Sequence, residues 1–264
     1  MPLPEEAPDG ETAPARTARL ARNATVDEDW RDALRTFTPG GVAKSRVVSN
    51  LFDVPEFRRY CRPFAADNGT PQPGLVIEFP TAIQQGSNLF NRELAGGDFA
   101  YDPTQFTTKI RSAGIFLKGY SDLGLASAPR LYLVPVGTDI MLSPGGDTLQ
   151  TREFRIVDQR IPEPFPIGAS NLIDPAYIPQ LDGLNGSLAQ IRRHSTSRAY
   201  DSSVSEGDVL LDSRLISRSV WNTRWMLIIP GATFAADPQA GLDAFLEGIE
   251  DIELSLYVYS YSGN

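Results

Sequence analysis

Cysteine and histidine are almost absent from this sequence, which has one of each in 264 residues. Cys61 therefore has no second thiol with which to form an intrachain disulfide, a redox pair or a metal site. A cysteine nucleophile would need a histidine base, and His194 is the only histidine in the chain. We accordingly predict that Cys61 is a small packing residue beside Tyr60 and Phe64.

Recognisable catalytic motifs are also lacking. His194 lies in the tetrapeptide Arg-Arg-His-Ser, and no Gly-x-Ser-x-Gly nucleophile turn accompanies it. No glycine-rich phosphate loop is present, and the Gly-Gly pairs at 96–97 and 145–146 are typical of turns. The sequence therefore predicts a protein that is not an enzyme, with no catalytic, cofactor-binding or metal-binding residue that can be assigned. Four late acidic residues are interpreted as a solvated turn or helix rather than a glycosidase pair: Glu247, Glu250, Asp251 and Glu253.

Long hydrophobic runs are missing as well. No window reaches the roughly 18 apolar residues that a membrane-spanning helix needs. Residues 1–15, MPLPEEAPDGETAPA, lack the basic start and apolar centre of a secretory signal peptide. We expect a soluble protein with no membrane-spanning segment, cytoplasmic as synthesised, and leave open its export as part of a complex.

Positive charge is in deficit, because 24 Lys and Arg face 33 Asp and Glu and the net charge is -9. Such a chain repels nucleic-acid phosphate and anionic lipid, so nucleic acid is excluded as the expected partner. One short basic cluster is interpreted as a solvated or internally paired patch, and it consists of Arg192, Arg193, His194 and Arg198.

The sequence is rich in turn-forming residues, which separate short apolar runs. Its 21 Pro and 22 Gly favour many turns over long helices. The apolar runs are rich in Val, Ile, Leu, Tyr and Phe and recur at spacings typical of sandwiches. Pro135 within one of them indicates an edge, a strand end or a bulge, since proline cannot donate to a ladder. The predicted strands are 45–52, 74–79, 109–120, 130–136, 153–160, 209–216, 224–229 and 252–261.

These patterns divide the chain into two parts. Residues 1–44 are predicted to be a flexible tail that carries a short helix, in which Asp27 is the cap and Trp30, Leu34 and Phe37 share one face. Residues 45–264 are predicted to form one antiparallel β-sandwich of jelly-roll type, an all-β fold. The alternative is two smaller sandwiches that divide near Pro162.

The final segment is the clearest strand, because its residues alternate in character. Two readings are open for its tyrosine-bearing face: half-buried packing against a loop or a second subunit, or an open platform for a sugar ring. One face is predicted to carry Ile252, Leu254, Leu256, Val258 and Ser260, and the other Glu253, Ser255, Tyr257, Tyr259 and Tyr261.

Two long irregular stretches, 80–106 and 162–205, are where specificity is expected to lie, because loops of this length are generally functional or packed. No structural or catalytic cofactor is predicted. Loop acids of a sandwich can nevertheless assemble oxygen ligands, so a structural calcium ion stays open, with Asp139, Asp147 and Asp182 as unranked candidates.

Two blocks of sequence carry a family resemblance. FAYDPTQFTTKIRS, residues 99–112, sets Asp, Tyr and Pro ahead of a basic-Ile-Arg-Ser strand, and APRLYLVPVG supplies a second strand. Residues 225–260 run from a strand through Pro to a short helix and a last strand. Over about residues 75–264 the chain resembles the C-terminal β-sandwich of bacterial insecticidal toxin-complex A subunits and, more loosely, jelly-roll carbohydrate-binding modules. It lacks that family's pore-forming and helical body and its basic ending.

The toxin-complex resemblance implies a non-catalytic module that docks a partner subunit in a large assembly. We therefore expect a structural or interaction module that binds a protein partner or forms a homo-oligomer. The alternative is a carbohydrate-binding module, and the third reading is a glycan-active enzyme on the same fold. Aromatic side chains that would stack on a sugar in the alternative reading are Trp221, Trp225, Tyr257, Tyr259 and Tyr261.

Overall fold

A computed structural model describes residues 12, 14, 16, 29–37, 42–61, 67–94, 105–126, 129–145, 148–155, 165–166 and 218–262. Eleven strands lie in these ranges: β1 Thr36–Phe37, β2 Lys44–Ser45, β3 Val47–Val48, β4 Gly74–Thr81, β5 Gln105–Lys118, β6 Arg130–Pro135, β7 Thr138–Gly145, β8 Thr148–Arg155, β9 Phe165–Pro166, β10 Trp221–Pro230 and β11 Asp251–Ser262. The helices are α1 over 29–35, α2 Pro55–Tyr60 and α3 Pro238–Gly248. The protein is mainly β, as the sequence predicts.

The larger sheet is antiparallel and is built around β10. Its order is β3-β4-β10-β6-β9, and β7 pairs with both β10 and β8. At the centre, Leu227 lies opposite Ile77 of β4 and Leu133 of β6. Residues 225–230 of β10 are all buried. Burial on both faces explains why this strand reads as the unbroken apolar run WMLIIP rather than as an alternation.

The two faces of this sheet pack against different cores, because successive side chains of a strand point to opposite sides. Trp225, Leu227 and Ile229 lie in the larger core. Met226 and Ile228 lie in the smaller one, where α2 and the 3₁₀ turn Leu51–Asp53 cover the sheet. The central sheet is therefore covered by α2 and the 3₁₀ turn on one side and by the second sheet together with α3 on the other.

The second sheet is a ribbon of two long antiparallel strands, β5 and β11. Its pairing shifts twice in register, and Thr107 of β5 takes a positive φ of 53° near one shift. The predicted apolar face of the last strand is confirmed, since four of its side chains pack against the larger core: Ile252, Leu254, Leu256 and Val258.

Helix α3 bridges β10 and β11 and contributes to the same core. Asp237 caps it by accepting from the backbone N–H groups of Gln239 and Ala240 at 3.0 and 3.2 Å. Helix α1 lies against its other end, where Trp30 Nε1 donates to the carbonyl of Ile249 and Arg31 donates to that of Leu246. Trp30, Arg31 and Leu34, within the segment predicted as a tail, thus pack onto the β domain.

Several predicted elements differ from the structure. The single strand predicted over 45–52 is wrong: two two-residue strands are followed by a 3₁₀ turn, because the side chain of Asn50 accepts from Phe52 N and Gln72 N and bends the chain. The predicted helix ends at residue 35, and Phe37 lies on β1. Strand β8 begins at Thr148 rather than Glu153.

Other predictions agree more closely with the structure. Pro135 ends β6, as its lack of an N–H indicates. The strands predicted over 74–79, 109–120, 130–136, 224–229 and 252–261 are present within a few residues. The strand predicted over 209–216, and most of the irregular stretch 162–205, lie outside the described residues.

Candidate functional site

The chain passes from the ribbon to the central sheet at residues 218–222. Ser219 forms a bridge with Lys109 of β5, and the N–H of Ile110 donates to the carbonyl of Arg218 at 2.7 Å. Two residues later the chain enters β10 and pairs with β7, where Asn222 lies opposite Asp139. This crossing joins the two sheets.

A buried polar network stabilises the crossing. The hydroxyl of Thr81 donates to the carbonyl of Val220 at 2.6 Å and accepts from the N–H of Asn222 and from Trp225 Nε1. Asn222 Nδ2 donates to Asp139 Oδ1 at 2.6 Å, and Arg218 lies 3.6 Å from the other oxygen of that carboxylate. Burial raises the pKa of Asp139, opposed by these two partners and by the N–H of Ser219.

This network is structural, because protein groups engage both oxygens of the Asp139 carboxylate. Asp139 is 2% exposed and was one of the three calcium candidates. Asp147 and Asp182 lie outside the described residues. Within the ranges that the structure describes, no group of three or more His, Cys, Asp or Glu side chains is placed to hold a metal ion.

Cys61 lies in the smaller core with Phe57, Tyr132 and Met226. Burial raises the pKa of its thiol, so the nucleophilic thiolate is disfavoured. His194 is outside the described ranges. The prediction that Cys61 is a packing residue agrees with this environment.

The aromatic candidates for sugar stacking are distributed between the core and the surface. Trp225 is 1% exposed and donates its indole N–H to Thr81, so it packs in the core. Trp221 and Tyr259 are half-buried, and Tyr261 is 55% exposed. The Tyr261 ring stacks on Phe106 of β5, with the centroids 5.9 Å apart and the planes 26° apart.

Strand β11 has an open edge in the described structure. It is twelve residues long, and among the described strands only β5 pairs with it. Its residues are half-buried or exposed wherever their burial is described. Unpaired N–H and C=O groups along such an edge are a template for pairing with another strand.

Charge distinguishes this edge from that of β8, which pairs only with β7 among the described strands. The β8 edge carries Arg152 and Glu153, both exposed. Charged residues on an edge strand discourage association. Strand β11 has acids only at its start, Asp251 and Glu253, and no charged residue from 254 to 262.

Cross-strand neighbours on β5 complete the surroundings of the tyrosine-bearing face. Lys118 lies opposite Asp251, and Lys109 lies opposite Tyr259. Partial burial and the nearby Asp251 raise the pKa of Glu253, while Lys118 opposes that shift. The alternation of β11 is visible in the sequence, but the finding that β5 alone pairs with it among the described strands depends on the fold.

Comparisons with known proteins return no family model, no curated protein and no solved structure that matches this chain. No helix among the described residues has the length and apolar character required to cross a membrane. Among the described residues, the fold is mainly β: a central antiparallel sheet packs against a two-stranded ribbon, and β11 of that ribbon pairs with β5 alone.

Proposed function

We propose that this protein is a non-catalytic interaction module of jelly-roll type within a larger assembly, and that the open edge of β11 is its docking site. The observation that supports this proposal is the long β11 edge, which is uncharged over residues 254–262 and has no second partner among the described strands. An extended strand from another protein or another copy would add to it through main-chain hydrogen bonds. Docking in a toxin-complex-like assembly is the corresponding expectation from the sequence resemblance.

Site-specific photo-crosslinking tests this proposal. We expect the substitution Tyr261→p-benzoylphenylalanine, in the intact chain in the cells that make it, to yield an adduct of one discrete mass. Tyr261 is exposed at the end of β11, so a strand paired along that edge would lie within reach of its ring. Mass spectrometry of the purified adduct identifies the residue reached.

Phe154 provides the matched control, because it is an aromatic residue of similar exposure, 44%, on the charged β8 edge. The same photoreactive group at position 154 is expected to give no discrete adduct. Equal labelling at both positions, or none at position 261, would contradict docking at the β11 edge.

A carbohydrate-binding module is the second candidate, and the exposed Tyr261 ring favours it. Phe106 stacks on that ring and the Tyr259 ring lies at 77° to it with the centroids 6.4 Å apart, yet the side chain is 55% exposed and could contact a sugar. In this case we expect glycan-array binding by the wild type that Tyr261→Ala abolishes and Tyr261→Trp retains. Binding that is unchanged by Tyr261→Ala, or absent from the wild type, would argue against it.

A further inference from the structure

We propose that the strand docked on β11 is the β11 of a second copy of this chain, paired antiparallel about a two-fold axis near Leu256. This inference rests on the proposed function and names its partner. A closed two-fold dimer uses the same patch on both copies and leaves neither β11 edge open.

The apolar alternation of β11 suits self-pairing. Directly opposite residues of an antiparallel pair point to the same side of the sheet. With Leu256 on the axis, Leu254 of one copy lies opposite Val258 of the other. The apolar rows of both copies then continue on one side, and the tyrosine-bearing rows on the other. The four apolar side chains of this face are only partly buried within one chain, so an added strand extends their cover.

The charges of β11 select the antiparallel direction. A parallel pair in register would set Asp251 and Glu253 against their own copies, and like charges directly opposite are destabilising. The antiparallel pair instead places Glu253 opposite Tyr259 of the second copy, and Asp251 opposite Tyr261. Neither position is charged, so this pairing keeps the carboxylates of the two copies apart.

Lys109 on β5 adds an electrostatic attraction across the interface. Lys109 lies opposite Tyr259 within one chain. Glu253 of the second copy would therefore lie in the same row, two strand spacings or roughly 10 Å from Lys109. This attraction acts locally against the repulsion between two chains of net charge -9.

Charge substitutions at Tyr259 test the pairing by sedimentation velocity over a range of concentrations. Tyr259→Glu would face Glu253 of the second copy, and Tyr259→Lys would attract it. Because a two-fold dimer contains this pair twice, we expect Tyr259→Glu to raise the dimer dissociation constant roughly tenfold. Tyr259→Lys should leave that constant near or below the wild-type value. The double variant E253K/Y259E, which restores opposite charges, should recover dimerisation.

The stability of the single chain separates association from folding. Within one chain Glu at position 259 would face Lys109, whereas Lys at that position would repel it. Thermal unfolding at low concentration should therefore rank the Glu variant as the more stable of the two, in the opposite order to dimerisation. Equal weakening of the dimer by both variants would overturn the antiparallel pairing.

Failure of this inference and failure of the proposed function give different results. A wild-type chain that is monomeric at all concentrations, with a photo-adduct at position 261 to a different protein, overturns self-pairing and retains the docking edge. A monomer in which the β11 amides that point away from β5 are protected from hydrogen exchange, and which gives no adduct, overturns both, because another segment of the same chain then occupies the edge.

Discussion

Replacing Asp139 with alanine is expected to lower the free energy of unfolding by about 3–5 kcal/mol, the usual cost of breaking a buried ion pair from one side. The change removes the acceptor of Asn222 Nδ2 and the acidic partner of Arg218, and both of these residues are buried. It also loosens the crossing between the sheets. Urea unfolding followed by circular dichroism measures the loss.

Asp139→Asn is the matched control, since it retains one oxygen acceptor for Asn222 while it removes the charge and replaces the oxygen near Arg218 with an NH2 group. It should lose clearly less stability than Asp139→Ala. Equal losses would show that the hydrogen bond to Asn222 contributes nothing beyond the charge, and no loss in either variant would contradict the network.

The stability that Asp139 contributes is expected to depend on pH in one direction. The pKa of Asp139 is raised by burial, so between its unfolded and folded pKa values the folded state binds more protons. Within that window the free energy of unfolding falls as the pH rises. Asn does not titrate, so the stability of the wild type relative to Asp139→Asn should decrease from the ordinary carboxyl range up through the raised pKa. An increase over this window would contradict the direction of the shift.

Trp225→Ala is expected to destabilise the protein by about 3–5 kcal/mol, because it empties the space of a large, fully buried side chain. The indole also donates to Thr81, the residue that joins β4 to the crossing. Loss of stability is measured by chemical unfolding at neutral pH, at a concentration where association is constant.

Trp225→Phe separates the two contributions of this residue. It retains most of the aromatic volume and removes the N–H, so a smaller loss, about 1 kcal/mol plus the cost of imperfect packing, is expected. Near wild-type stability of Trp225→Ala would contradict the core position. Such a result would restore Trp225 as a candidate for sugar stacking.

The core strands were predictable because the residues of each strand by themselves show a pattern typical of β-structure. Strand β10 is an apolar run too short for a membrane helix, and β11 alternates with period two, so both were found from sequence. Strand β7 and helix α2 were missed, since TDIMLSPG and PEFRRY have no clear period of their own. Their conformations follow from tertiary partners, β10 and β8 for the strand and the smaller core for the helix.

The candidate site was only partly predictable for a related reason. Asp139 stood out as a loop acid, but its hydrogen bond to Asn222 joins residues 83 positions apart and has no local signal. The tyrosine-bearing face of β11 was visible in the alternation of residues, whereas the position of β11 at an edge depends on sheet order.

The sequence by itself determined the mainly β character of the protein, the apolar face of its last strand and the packing position of its lone cysteine. These features depend on the polarity of side chains at short spacing, which a single chain displays directly. Tertiary structure decided that Trp225 is core, that Asp139 is buried in a polar crossing and that β11 pairs with β5 alone among the described strands. Each of these depends on contacts between distant segments, because burial and strand pairing are properties of the folded neighbourhood and not of the local sequence.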